Sequence, residues 1–172
     1  MSVERSGVVT FKGSPMTLVG SELTVGQKAP GATLIGAGLA AVNPLEAGAG
    51  KTKLFVLVPS VDTGVCSIEG KKFSDASQAF GDDVAVFLVS ADLPFAQGRW
   101  CQAEEVKNLT MLSDYREMAL AKSWGVYLKE LGLYARAVFV VDKNDTVTYA
   151  EIVPEVASEP DYAAAVAAVN AA

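Results

Sequence analysis

The chain has 172 residues, 51% hydrophobic and 20% charged, with a formal charge of -6 and a mean hydropathy of +0.29. That length fits one domain, 1–172, with a sizeable core, and the acidic balance argues against nucleic acid or an anionic membrane surface as a partner. It contains no histidine and two cysteines, which removes His-dependent hydrolysis, His-ligated zinc and His acid–base catalysis, and leaves too few cysteines for a disulfide scaffold. No apolar run approaches a membrane span, and Met1 to Ser6 lacks the basic-then-apolar signature of a secretory signal. A cytoplasmic protein is therefore expected, whose two cysteines cycle between oxidised and reduced forms.

The predicted elements begin with a β-hairpin: Val8 to Lys12, a turn at Gly13-Ser14-Pro15, then Met16 to Val19. Gly26 to Gly31 reads as a loop and Thr33 to Ile35 as a short strand. Gly36 to Thr52 reads as irregular with one short strand. Lys53 to Val58 is an apolar run with the character of a buried strand. In the helix that follows, Phe73, Ala76 and Phe80 mark an inward face, and Gly81-Asp82-Asp83 ends it. Val84 to Val89 is a second buried strand. Asp92 or Leu93 then caps a helix with Pro94 in its first turn, carrying Gly98 and Cys101. A short strand at Leu109 to Leu112, a helix at Asp114 to Trp124, a strand pair (Ala137 to Val141 and Thr146 to Tyr149) and a helix from Pro160 complete the chain. This order suggests a central mixed sheet with helices on both faces. A thioredoxin-like architecture fits, and periodicity alone also allows a flavodoxin-like sheet.

The segment Pro59-Ser60-Val61-Asp62-Thr63-Gly64-Val65-Cys66 carries the most chemistry. It joins a strand to a helix and puts Cys66 in the first helical turn, where unpaired N–H groups and the positive dipole end favour thiolate over thiol. Thr63 is a natural N-cap. Without histidine, activation of Cys66 must come from the helix terminus, a hydroxyl or an arginine, which suits peroxide or disulfide chemistry. Arg99, near Cys101, is one candidate for that cation.

Two glycine-rich segments imitate nucleotide sites. Gly36-Ala37-Gly38-Leu39-Ala40-Ala41 fits a dinucleotide pattern, but Asn43-Pro44 interrupts the helix that the pattern requires. Gly50-Lys51-Thr52 resembles the end of a phosphate loop, yet Leu45 stands where its first glycine belongs, and it precedes its strand. Neither supports a cofactor, and no metal ligation is expected.

Pro59, Thr63 and Cys66 occupy every fixed position of the peroxiredoxin motif Pro-x-x-x-Thr-x-x-Cys. The wider segment resembles the thiol peroxidase subfamily of atypical two-cysteine peroxiredoxins. Ser90-Ala91-Asp92-Leu93-Pro94-Phe95-Ala96 leading to Cys101, Ala135-Arg136-Ala137-Val138, and Glu159-Pro160-Asp161-Tyr162 are similar to further segments of that subfamily. The resemblance covers nearly the entire chain and implies a thioredoxin-like fold with an N-terminal β-hairpin.

It implies a mechanism as well. Cys66 is the peroxidatic residue, attacking a hydroperoxide to give a sulfenic acid, with Thr63, Arg136 and backbone N–H groups stabilising the charge that develops, while Pro59 shields the sulfur. Cys101 resolves this into an intramolecular disulfide, recycled by a thioredoxin-type reductant, in a homodimer that serves antioxidant defence. An apolar neighbourhood of Leu93, Phe95 and Trp100 would favour organic hydroperoxides. Gly70 and Gly98 would ease the unwinding that the disulfide needs. A general thiol–disulfide oxidoreductase would show Cys-x-x-Cys, where this chain has Glu69. A redox sensor would use the same residues as the peroxidase.

Overall fold

In the computed structural model, which describes residues 2–172, apolar strands dictate the layering. The chain opens with β1 (Glu4–Phe11) and β2 (Ser14–Val19), followed by β3 (Leu34–Ile35), a 3-10 turn (Ala37–Leu39), β4 (Ala41–Val42) and a single helical turn α1 (Pro44–Ala47). The central part runs β5 (Thr52–Leu57), α2 (Gly64–Ser77), β6 (Val84–Ser90), α3 (Pro94–Ala103), β7 (Thr110–Ser113) and α4 (Ala119–Ser123). It closes with β8 (Tyr127–Leu128), β9 (Leu133–Tyr134), β10 (Ala137–Val141), β11 (Val147–Ile152) and α5 (Tyr162–Ala171).

The main sheet has the order β11-β10-β5-β6-β7-β3-β4. β5, β6 and β7 are parallel, while β10 runs antiparallel to both β5 and β11. This is the mixed sheet of a thioredoxin-like fold, and the antiparallel β10 separates it from a flavodoxin-like sheet. Every residue of β5 and β10 is buried, as strands covered on both faces require.

Alternation along these strands divides the core. Phe55, Leu57, Phe87, Val89, Phe139 and Val141 face α4 and the N-terminal hairpin, whose β1-β2-β8-β9 sheet supplies Val9, Leu18 and Leu128. Leu54, Val56, Val86, Leu88, Val138 and Val140 face α2, α5 and the indole of Trp100. Phe55 and Phe139 meet Trp124 edge-on, with ring centroids 4.7 and 5.1 Å apart. Among the described residues no helix is long and apolar enough to cross a membrane.

Several local expectations shift. The hairpin turns at Lys12-Gly13, both with positive φ (50° and 79°), and Pro15 lies within β2 opposite Thr10; two left-handed residues match the right-handed twist of the flanking strands. Asn43-Pro44 starts a turn of helix, because the Asn43 side chain accepts from the Leu45 N–H and Pro44 takes the first helical position. Helix α2 stops at Ser77, so Phe80 packs from beyond its end. The stretch Asp114 to Trp124 is not one helix. Met118 is left-handed (φ 51°), and the Asp114 carboxylate accepts from the N–H groups of Ala119, Leu120 and Ala121 and from the Tyr134 hydroxyl.

Candidate active site

The chain leaves β5 through Val58 and the buried Pro59, and enters α2 at Gly64. Cys66 is the third residue of α2 and fully buried. Gly64, Val65 and Cys66 contribute N–H groups that have no intrahelical acceptor, as at any helix start. Thr63 occupies the N-cap position, but its hydroxyl makes no capping bond and donates instead to the Ser60 carbonyl at 3.2 Å. The hydroxyl thereby braces the loop just before the cysteine.

Arg136 reaches this turn from the loop entering β10 and is 2% exposed. Its Nη2 donates to Cys66 Sγ at 3.2 Å, its Nε to the Val156 carbonyl at 2.9 Å, and its Nη1 to Glu69 Oε2. Three separate acceptors fix the plane of the guanidinium, a geometry that lysine could not reproduce. Burial works against the charge of Arg136, and Glu69 and Cys66 more than offset it, holding the guanidinium above its ordinary pKa. Arg99 is elsewhere: 71% exposed and 3.6 Å from Asp62.

Glu69 had no role in the sequence reading. It lies one helical turn past Cys66 on the same face of α2, fully buried. Burial drives its carboxyl up from 4.5 to about 7, against the pull of Arg136. Its Oε1 has no hydrogen-bond partner among the described residues. The i, i+3 spacing from Cys66 was the available signal, since a carboxylate on a buried helical face needs a cation.

Of the two residues expected near the cap of α3, Asp92 and Leu93, Leu93 takes the cap position. The Asp92 carboxylate instead accepts from the Ser60 hydroxyl at 2.6 Å, the Val61 N–H at 2.8 Å and the Ser90 hydroxyl at 2.6 Å. It ties the loop before Cys66 to the segment that opens α3.

Pro59, Thr63, Val65 and Arg136 border a largely apolar pocket of about 260 Å³, closed on its far side by Phe11, Leu131 and Leu133. Leu93 and Phe95 are not part of it. They are 49% and 69% exposed at the start of α3, and Trp100 packs on α2. The apolar surface near the reactive turn thus comes from the N-terminal hairpin and the β8–β9 hairpin.

Cys101 is half-buried near the end of α3, beside a cleft of about 420 Å³. Burial pushes its thiol up. Both cysteines are free thiols in this structure. The structure therefore groups Pro59, Thr63, Cys66 and Arg136 at one end of α2 and leaves Cys101 on the neighbouring helix. Gly36 to Ala41 forms the 3-10 turn and the bend into β4, and Gly50-Lys51-Thr52 leads into β5. Neither opens an α-helix.

Comparison with known proteins agrees over most of the chain. The redoxin family pattern matches residues 24–166. A thiol peroxidase of Halalkalibacterium halodurans is 47% identical over 164 residues, covering 95% of this chain and 98% of the relative. A thiol peroxidase of Bacillus subtilis is 45% identical over 159 residues, covering 90% and 91%. Among solved structures, a peroxiredoxin-like protein from Aquifex aeolicus superposes with a TM-score of 0.87 at 38% identity, covering 99% of this chain and 98% of that one.

Proposed function

This chain belongs to the redoxin family and is a peroxiredoxin-type, thiol-dependent peroxidase, and within that frame we propose that Cys66 is the peroxidatic residue and Cys101 the resolving one. The observation that carries the reading is the guanidinium of Arg136 at 3.2 Å from a buried sulfur in the first turn of a helix. In attack on a hydroperoxide the sulfur bonds to the distal oxygen, the O–O bond breaks, and water or an alcohol leaves. Negative charge passes from sulfur onto both oxygens. Arg136 and the N–H groups of Val65 and Cys66 are fixed donors at that place and need little reorganisation as the charge develops. Pro59 shields the loop side of the turn, and Thr63 holds it through Ser60.

The same proposal has Cys101 closing an intramolecular disulfide with Cys66 that a thioredoxin-type dithiol reduces, in a cytoplasmic homodimer serving antioxidant defence. A single domain spanning 1–172 fits the two buried clusters, which share the strands of one sheet. The apolar walls of the pocket beside Arg136 favour an organic hydroperoxide. Steady-state assays with thioredoxin, its reductase and NADPH test the recycling. Sustained turnover in wild type and none in Cys66→Ser supports it, and a single stoichiometric oxidation without turnover contradicts it.

A further inference from the structure

Only two side chains of α3 are buried, Gln97 and Trp100, and they grip different partners. The Gln97 amide donates to the Ser90 hydroxyl at 3.0 Å and the Leu112 carbonyl at 2.8 Å, pinning the first half of the helix to β6 and β7. Asp92 reinforces that end through Ser60, Val61 and Ser90. Trp100 turns toward α2 instead. Its indole N–H donates to Ser67 Oγ at 2.9 Å, and its ring lies so close to Gly70 that a Cβ there would stand 2.5 Å from it and 3.0 Å from Leu88.

The two ends of this contact flank the two sulfurs. Ser67 follows Cys66, Trp100 precedes Cys101, and both cysteines pack in the cluster that holds the indole. Between the fixed Gln97 and Trp100 lies Gly98, where a Cβ would meet nothing within 4 Å. Packing does not explain a glycine at that place, and a flexible joint does.

We propose that the Trp100–Ser67 hydrogen bond, with the indole seated on Gly70, is the catch that holds Cys101 on a folded α3, and that its release, about a joint at Gly98, gates the attack of Cys101 on oxidised Cys66. Trp100 and Ser67 are positioning residues for that step. The step itself balances: the Cys101 sulfur bonds to the Cys66 sulfur, the S–O bond of the sulfenic acid breaks, and its oxygen leaves as water with the Cys101 proton. The indole fills the space between α2 and α3 beside both cysteines, and a disulfide brings Cα atoms within about 4.4–6.8 Å; in this proposal the indole gives way as the bond closes. Gln97 and Asp92 keep the first half of α3 in place, so motion is confined to the segment that carries Cys101. This rests on Cys101 being the resolving cysteine.

The test uses Ser67→Ala, which removes the acceptor alone, and Trp100→Phe, which removes the donor together with the outer ring edge that seats on Gly70. Rapid-quench mass spectrometry reads closure of the Cys66–Cys101 bond after one equivalent of peroxide. One hydrogen bond, ~1 kcal/mol net, converts to about fivefold in rate. Closure is expected to be about that much faster in Ser67→Ala and at least that much faster in Trp100→Phe, with no further gain when Ser67→Ala is added to Trp100→Phe, because the bond is then already gone. Formation of the sulfenic acid, trapped with dimedone in a Cys101→Ser background, is unchanged, and overoxidation of Cys66 needs a correspondingly higher peroxide dose. Gly98→Ala stiffens the joint and is expected to slow closure by about the same factor. Unchanged or slower closure in both Ser67→Ala and Trp100→Phe, or unchanged closure in Gly98→Ala, overturns the gate while leaving the resolving role intact. A wild-type protein that forms no Cys66–Cys101 bond removes the resolving assignment and the gate together.

Discussion

Replacing Arg136 with methionine keeps a stem of similar length and deletes three donors at once: those to Cys66, to Glu69 and to the Val156 carbonyl. A hydrogen bond to a charged partner is worth ~1.5–3 kcal/mol. Lost from the transition state, that corresponds to roughly 10- to 150-fold slower reaction of Cys66 with peroxide. Stability suffers less than the removal of one partner of a buried ion pair suggests. Stranding a buried charge costs about 3–5 kcal/mol, but the Glu69 carboxyl already sits at about 7 beside the cation. Without Arg136 it takes up a proton at neutral pH, and the cost falls toward the ~1–3 kcal/mol of an unsatisfied neutral group. The variant therefore remains folded, and its rate reports chemistry. Arg99→Met is the control, being exposed and paired only with Asp62. Stopped-flow oxidation of the reduced proteins, with circular dichroism to verify folding, measures both. Arg136→Met reacting at the wild-type rate, or Arg99→Met proving the slow one, would refute the role given to Arg136.

Glu69 gives stability a pH dependence of known sign. Its folded pKa, about 7, exceeds its ordinary 4.5, so the folded state holds its proton more tightly, and the stability this group confers is complete below pH 4.5 and is lost as pH rises through 7. At 1.36 kcal/mol per unit this amounts to ~3 kcal/mol; in urea unfolding, the stability of wild type relative to Glu69→Gln falls by up to that much between pH 4.5 and 8, and a flat difference contradicts the buried-acid reading. Gly70→Ala improves helix propensity by up to ~1 kcal/mol yet is expected to destabilise by about 1–3 kcal/mol, because the new methyl meets Trp100 and Leu88; a higher unfolding midpoint would show that the indole has room to move. One equivalent of peroxide yields a monomer-internal Cys66–Cys101 bond and faster amide exchange in 63–70 and 98–103, read by non-reducing gels and hydrogen exchange. Covalent dimers, or unchanged exchange, contradict it.

Long apolar strands and a dense motif are what the sequence displays openly. β5, β6 and β10 are runs that can only be buried, and Cys66 is placed by the strand–loop–helix order around it. Arg136 was reachable through the resemblance of its segment, since nothing in Ala135-Arg136-Ala137 tells a solvated charge from one aimed at a sulfur. The pairs that build the site from distant parts of the chain were hidden. Glu69 meets Arg136 and Asp92 meets Ser60 only after the sheet has formed, and neither partner is a sequence neighbour. Gly70 read as a weak spot in a helix, whereas in the fold it is the seat of Trp100. The helix expected from Asp114 to Trp124 failed because the Asp114 carboxylate, held by the buried Tyr134, gathers three N–H groups and starts α4 late. The β8 and β9 strands, two residues each, are too short to show a period.

Trapping the sulfenic acid tests the division of labour between the cysteines most directly. Cys101→Ser and Cys66→Ser are each given one equivalent of hydroperoxide in the presence of dimedone and analysed by peptide mass spectrometry. The account predicts a stoichiometric adduct on Cys66 in Cys101→Ser and no adduct on Cys101 in Cys66→Ser. Cys101 labelled at a comparable rate in the absence of Cys66 would contradict it.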